Sequence, residues 1–394
     1  MFFREKGLRR QVLIMEKKRK VNFALTAAAI CVAIAALLKI IIPVAGYYAA
    51  YVFASYYRIK DGIFLEIVNN TDELMSAGKT YSALTFNIGF GAYDKDFDFF
   101  MDSGFDENGN LIYGSHSRAQ SGEKVLENIR GAENVILSLS PDTVFLQEVD
   151  TSAHRSCFVD QLEIFTSSFE DYGSVFAQNA HTPYFLYPLN EPIGMFESGL
   201  LSLYRMYAGS SVRLSLPLSD SVMDNLFDLD RCMSVTRFPV EGSDKQFVAV
   251  NVHMSAYDID GKVRDMQIKY LGNFISEERR KGNYVLAGGD FNNILAGGFS
   301  YFTPENGETV PPWAGVWNAS FPGFDLIATI TGDGPQKGTC RNNTRPYDED
   351  WTYTCVIDGF IVSDNIKILN VINITSHDFA FSDHNPVKTE FVLL

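Results

Sequence analysis

The spacing of apolar and polar positions changes character along the chain. Val21 to Leu38 (VNFALTAAAICVAIAALL) holds no charge, Lys39 interrupts, and Ile40 to Tyr57 is again apolar, with Pro43 and Gly46 inside it. About 20 apolar residues cross a hydrocarbon core, so one helix over roughly 21–45 is long enough to span if Lys39 snorkels to the interface. Beyond residue 80 the pattern becomes that of short strands alternating with amphipathic helices. Ser82–Ile88 alternates apolar and polar before Gly89, which predicts a strand. Val125, Ile129, Ala132 and Ile136 recur at helical spacing ahead of Pro141, and Asp142–Gln147 reads as a buried strand. Val263, Met266, Tyr270, Leu271, Phe274 and Ile275 form a second helical stripe that ends near Gly282. Tyr284–Ala287, Val356–Val362 and Val387–Leu393 read as further strands. The acidic and aromatic stretch Asp94–Asn110 reads as an exposed loop or hairpin, turning at DENGN (106–110). No Gly/Ser-rich or Pro-rich linker and no internal repeat divides residues 80–394, which reads as one domain.

Charge sharpens the reading of the N-terminus. Residues 1–20 carry eight basic and two acidic side chains, and residues 21–60 hold Lys39, Arg58 and Lys60 with no acid. A basic flank ahead of an apolar span orients the N-terminus to the cytoplasm and residues from about 60 onward to the outside. Tyr47, Tyr48, Tyr51, Tyr56 and Tyr57 would then sit at the interface. The expectation is a single-pass anchor in the cell membrane: a basic cytoplasmic segment (1–20), a membrane segment (21–57) and an extracytoplasmic domain (80–394). A cleaved signal peptide competes, although its apolar core is ordinarily shorter; a two-span hairpin would need a tight turn at Lys39.

The full chain of 394 residues has 33 basic and 48 acidic side chains, a net charge of −15. Residues 61–394 account for 22 basic and 46 acidic ones, a balance of −24. Such a surface repels nucleic acid at long range. A broad basic surface for extensive nucleic-acid binding is therefore excluded, while a narrow slot that accepts phosphate is not. Cys31 lies in the apolar segment, and Cys157, Cys232, Cys340 and Cys355 are too far apart for a CxxC zinc pattern. Cys340 and Cys355 are the nearest candidates for a disulfide, which an extracytoplasmic location permits.

Candidate chemistry collects where the strands finish. Asn87 closes TFN, Glu148 closes FLQE, His253 closes VNVH, and Asp290 with Asn292 closes GGDFN; Asp383 and His384 stand in SDHNP before the last strand. Singly, each could be a turn residue, a solvated strand end or a satisfied core histidine. Together they form a set with a chemical logic. Glu148, Asn87 and Asp383 are hard oxygen donors suited to Mg²⁺ or Mn²⁺. His253, His384 and Asp290 supply acid/base groups and charge around the same phosphorus. Asp358, in VIDGF, could fix the tautomer of His384.

The succession TFNIGFG, FLQEVD, VNVHMSAYD, LAGGDFNN, VIDGFIVS and SDHNPV resembles the signatures of the endonuclease/exonuclease/phosphatase superfamily, the deoxyribonuclease-I-like fold, over about Ser82 to Leu394. The resemblance implies an α/β four-layer sandwich, two mostly antiparallel sheets with helices outside and the site at one edge. Carried over by position, it implies that Asn87 and Glu148 hold the metal with Asp383 in support. His253 would assist at the phosphate or leaving group, Asp290 with Asn292 would activate water, and His384, paired to Asp358, would stabilise the transition state. Whether Asp290 or His384 is the base stays open. Arg118, Arg231, Arg341 and Tyr257 are candidate phosphate or substrate contacts. Met254 after His253, and ESGLLSLYRM (197–206) in place of the usual Gly-Asn-Ala segment, depart from the nuclease pattern. The function expected is a Mg²⁺- or Mn²⁺-dependent phosphodiesterase acting on a lipid headgroup or small organophosphate at the outer membrane face. A cell-surface nuclease and a catalytically silent binding module are the alternatives.

Overall fold

A computed structural model describes residues 2–394 except 222–224, 227–228, 257–260, 296–300, 306, 328–330 and 333–337. Residues 1–56 and 57–394 form two units. In the first, Phe2–Ser55 is one continuous helix that contains Pro43 and runs through Lys39 unbroken, so the two-span hairpin is not formed. Its Leu13–Ser55 portion is long and apolar enough to cross a membrane, a property that a signal sequence shares.

In the second unit, two seven-stranded sheets are present among the described residues. One runs in the order Ile63–Phe64, Ser210–Ser215, Cys232–Pro239, Gln246–His253, Tyr284–Asp290, Asp358–Ser363, Phe324–Ile327. The other runs Thr331–Gly332, Ile366–Asn373, Val387–Leu393, Thr80–Asn87, Thr143–Ala153, Phe196–Tyr204, Gly173–His181. Neighbours are antiparallel except for three pairs: Gln246–His253 with Tyr284–Asp290, Thr80–Asn87 with Thr143–Ala153, and Thr331–Gly332 with Ile366–Asn373.

Alternation along the strands decides which side chains meet where. Tyr81, Ala83, Phe145, Phe247, Ala249, Leu286, Phe360 and Phe391 point between the sheets and form one buried cluster. Val248, Val250, Val252, Val285, Ala287 and Ile361 point the other way, onto Ile268, Leu271 and Ile275 of the helix Lys262–Arg280. The helices Gly122–Leu139 and Gln161–Ser168 flank the second sheet. Ser121 Oγ caps the former by accepting from Lys124 N at 3.1 Å. Gln161 ties the latter in, accepting from Asp150 N at 3.1 Å and donating to Phe90 O at 2.7 Å. Helix, sheet, sheet and helix make the four layers expected.

The inter-sheet contact depends on glycine at Gly288, where a Cβ would lie 2.6 Å from Phe360 and 2.9 Å from Phe145. At Gly289 a Cβ would lie 1.9 Å from the Val252 carbonyl, so no side chain fits beside that strand.

Two expectations need correction. The stretch 94–110 is a hairpin only in part: Ser103–Phe105 pairs with Leu111–Tyr113, and Asp106 accepts from Asn108 N and Asn110 N across the turn. Its first half is not exposed, because Asp94, Phe97 and Phe99 are buried, the rings in edge-on contacts with Tyr93. Cys340 and Cys355 do stand directly opposite each other in an antiparallel pair, yet both are free thiols. Burial pushes Cys340 up to about 12 and Cys355 well above the ordinary thiol value, which keeps both protonated.

Candidate active site

The alternation that builds the inter-sheet core also builds the site. Along Gln246–His253, Phe247 and Ala249 face the other sheet, so Asn251 and His253 do too. Leu286 and Gly288 set the same face for Asp290, as Phe360 and Val362 do for Asp358. His253 lies opposite Asp290, and Asp290 opposite Asp358, so the three form one row across three adjacent strands. The other sheet brings Asn87 from the end of its strand. Glu148 arrives from a bulge in which Gln147 and Glu148 stand against a single residue of Phe196–Tyr204. Glu148 has φ +58°, and such a bulge re-aims a side chain that regular alternation would point elsewhere. Asp383 and His384 come from the segment before Val387–Leu393, clamped by Ser382 Oγ donating to Asn87 O (2.7 Å) and Arg341 N donating to Asp383 O (3.0 Å).

Asp290 Oδ2 is the centre. It accepts from Asn87 Nδ2 at 3.0 Å and lies 3.5 Å from His253 Nε2 and 3.7 Å from His384 Nε2. Asn87 Nδ2 also reaches Glu148 Oε1 at 3.2 Å, while its Oδ1 accepts from Gly89 N at 3.0 Å. Asn292, at φ +48°, turns back so that its N–H donates to Asp290 Oδ1 at 2.8 Å and its side chain holds Met254 O at 2.9 Å. His384 Nδ1 lies 2.8 Å from Asp358 Oδ2.

Burial and neighbouring charge push these groups apart in proton affinity. Burial, with Arg231, His384 and Arg155 adding repulsion, holds His253 well below the ordinary imidazole value, so it is neutral at pH 7. Burial opposes charge on His384 too, but Asp358 and Asp383 outweigh it and raise its value well above the ordinary one. Burial and the Asp358 carboxylate push Asp290 up to about 7. Burial also raises Glu148, against the pull of Arg155. A base near neutrality, a neutral imidazole and an imidazolium thus share one pocket.

These groups floor a cavity of about 510 Å³. Arg231 and Arg341 line it; Arg341, fully buried, donates to the Asp94 and Phe97 carbonyls at 2.7 and 3.2 Å and so holds the 94–97 segment in the wall. Arg118 is not among the lining residues and lies half-buried near Cys157. Tyr257 lies outside the described residues.

Sequence reasoning missed several supports. Arg155 forms a two-pronged pair with Asp150 (2.7 and 3.0 Å) and lies between the Phe90 and Phe196 rings, 4.0 and 4.2 Å from their centroids. Asn343 Nδ2 donates to both Asp383 (2.8 Å) and Asp102 (2.9 Å). Gln147 Nε2 donates to Asn251 Oδ1 at 2.8 Å, joining the two sheets beneath the site. The last pair had a signal: both are polar at inward positions of otherwise apolar strands.

The donor set suits a hard cation. Glu148 and Asp383 offer carboxylate oxygens, and the burial that raises Glu148 would be offset by a bound positive charge. The sulfur-containing group Cys340, Asp383 and His384 has ligand atoms within 4.8 Å of one another, as do Asp290, Asp358 and His384, but Asp358 is already engaged with His384.

A model of the Endonuclease/Exonuclease/phosphatase family matches residues 84–384, and the chain belongs to that family. Its members are phosphoester hydrolases that generally depend on divalent metals. No curated protein matches the chain. Among solved structures, it is similar to an endonuclease/exonuclease/phosphatase from Beutenbergia cavernae (14% identity, 80% of this chain and 72% of that one, TM-score 0.49). A Bacteroides vulgatus protein of the same description is similar at 16% identity, covering 80% of this chain and 100% of that one, with TM-score 0.49. Truncated Caenorhabditis elegans TDP2 is similar at 16% identity, covering 80% and 99%, with TM-score 0.45. The family assignment rests on the family model.

The cation assignment is tested at Glu148. Glu148→Gln keeps size and the bond to Asn87 but removes the charge. Calorimetric titration with Mg²⁺ should show at least tenfold weaker binding, with an unchanged circular dichroism spectrum; equal affinity would contradict the assignment.

Proposed function

We propose that the chain is a membrane-anchored, Mg²⁺- or Mn²⁺-dependent phosphodiesterase that acts on a lipid headgroup or small organophosphate outside the cell. The observation that carries the reaction class is the convergence of His253, Asn87 and His384 on the single carboxylate of Asp290, with Glu148 beside them at 3.2 Å from Asn87 and 4.0 Å from His253. Glu148 and Asp383 would hold the cation with Asn87 beside them, and the cation would supply Lewis-acid charge to a phosphate oxygen. Asp290, near pH 7 in affinity, takes the proton of the attacking water, oriented by the Asn292 N–H. His384, charged and steadied by Asp358, faces the charge that builds on the phosphoryl oxygens. His253, neutral, accepts a hydrogen bond or passes a proton at the leaving oxygen.

The choice of substrate is supported by the −24 balance of residues 61–394. An acidic domain meets a polyanion with repulsion that grows as salt is removed, the Debye length rising from about 10 Å at 0.1 M to about 30 Å at 0.01 M. DNA cleavage should be slow and should not accelerate as monovalent salt falls at fixed Mg²⁺, whereas hydrolysis of a small phosphodiester should be nearly salt-independent. Fast DNA hydrolysis that rises steeply at low salt would make surface nuclease the better reading. The location is supported by the basic flank and the apolar helix. Protease added to intact cells should degrade residues 57–394; full protection with healthy expression would contradict the orientation.

A further inference from the structure

The proposed catalytic groups, with Arg231, Arg341 and Asn343, make up one part of the cavity lining, and another part is largely aromatic and aliphatic carbon. Phe90 follows Gly89, where a Cβ would lie 3.0 Å from Asp383 Oδ1, so the aromatic wall begins beside the reacting groups. From there, ring contacts run without a gap. Phe90 meets Tyr93 at 5.0 Å, Tyr93 meets Phe99 at 5.5 Å, Phe99 meets Phe100 at 5.0 Å, and Phe100 meets Tyr187 at 5.7 Å between centroids. Phe185, Ile193 and Phe196 line the same space. The polar groups along this wall are already engaged: Arg155 by Asp150, and Asp102 by Asn343.

We propose that this apolar half of the cavity is a subsite for an uncharged alkyl or aryl group borne by the alcohol of the phosphoester, seated next to the phosphate. The inference rests on the phosphoesterase reading and narrows its substrate class. Volume supports it, since about 510 Å³ falls in the range that holds a whole small molecule and exceeds what a phosphate group alone fills. Chemistry supports it as well. A charged or hydroxyl-rich group here would face rings that offer few hydrogen bonds, while a hydrocarbon would trade water for aromatic carbon. The wall is held by the protein's own packing, because Phe90, Phe99, Phe185 and Phe196 are buried.

The test uses the full-length chain in lipid nanodiscs with Mg²⁺, titrated calorimetrically with methyl, propyl, hexyl and phenyl phosphate. A fully buried methylene is worth about fourfold in affinity, so hexyl phosphate should bind at least tenfold more tightly than methyl phosphate, with propyl phosphate between them. Phenyl phosphate should also exceed methyl phosphate, and the stronger of phenyl and hexyl tells an aryl from an alkyl source. Tyr187, at the rim and 68% exposed, is the site for a variant that folds. Tyr187→Ser, alone and with Phe100→Ser, should flatten the chain-length dependence while methyl phosphate binds as before. Equal affinity for all four phosphates overturns the subsite and leaves the phosphoesterase reading standing. Binding of hexan-1-ol without binding of methyl phosphate would keep an apolar pocket but remove the phosphoesterase reading on which the proposal rests, and so overturns it too.

Discussion

The hydrogen bond from Gln147 to Asn251 fixes how the two sheets face each other at the end that carries the candidate site. Both side chains are buried with no accessible surface, and Asn251 also donates to the Leu146 and Leu201 carbonyls (3.2 and 3.1 Å) and to Ser202 Oγ (3.2 Å). Moving either strand would strand several of these polar groups without partners, each at a cost of about 1–3 kcal/mol. The apolar core above them tolerates sliding better, since hydrophobic contact has no direction. The polar joint therefore sets the register between sheets. Glu148 is the residue after Gln147 and His253 lies two after Asn251, so the joint delivers these two to within 4.0 Å of each other.

Once that register is set, two further contacts of the site cross between the sheets. Asn87 reaches Asp290 from one sheet to the other, and His384 reaches Asp358 the same way. The site is thus part of what closes the sandwich, and the Asp290 and Asp358 carboxylates are buried because the sheets are. That burial raises Asp290 toward neutrality and keeps His253 uncharged. Packing and proton affinity have one cause here.

Much of this was legible in the sequence because strand alternation is local. The run VNVH places Val250 and Val252 outward, so His253 had to face inward, and GGDFN announced a strand end whose glycines leave room for neighbours. The helix Lys262–Arg280 and the strands around it fall within a few residues of where their apolar spacing puts them. What the sequence hid was set by distant contacts. Nothing local distinguishes Arg341, which braces the 94–97 carbonyls, from an arginine that grips phosphate. Nothing near Arg155 says that Phe90 and Phe196 will enclose it. The 94–99 segment read as exposed because its acids suggested water, whereas its rings are drawn in by Tyr93 and Phe90.

The central claim is that groups from the two sheets act as one catalytic unit through Asp290. A double-mutant cycle with Glu148→Gln from one sheet and Asp290→Asn from the other, read as kcat/KM for a chromogenic phosphodiester, addresses it directly. Residues that act as a unit lose activity non-additively. The double variant should be no more than a few-fold slower than the worse single variant. Losses that multiply, as for independent sites, would contradict the account.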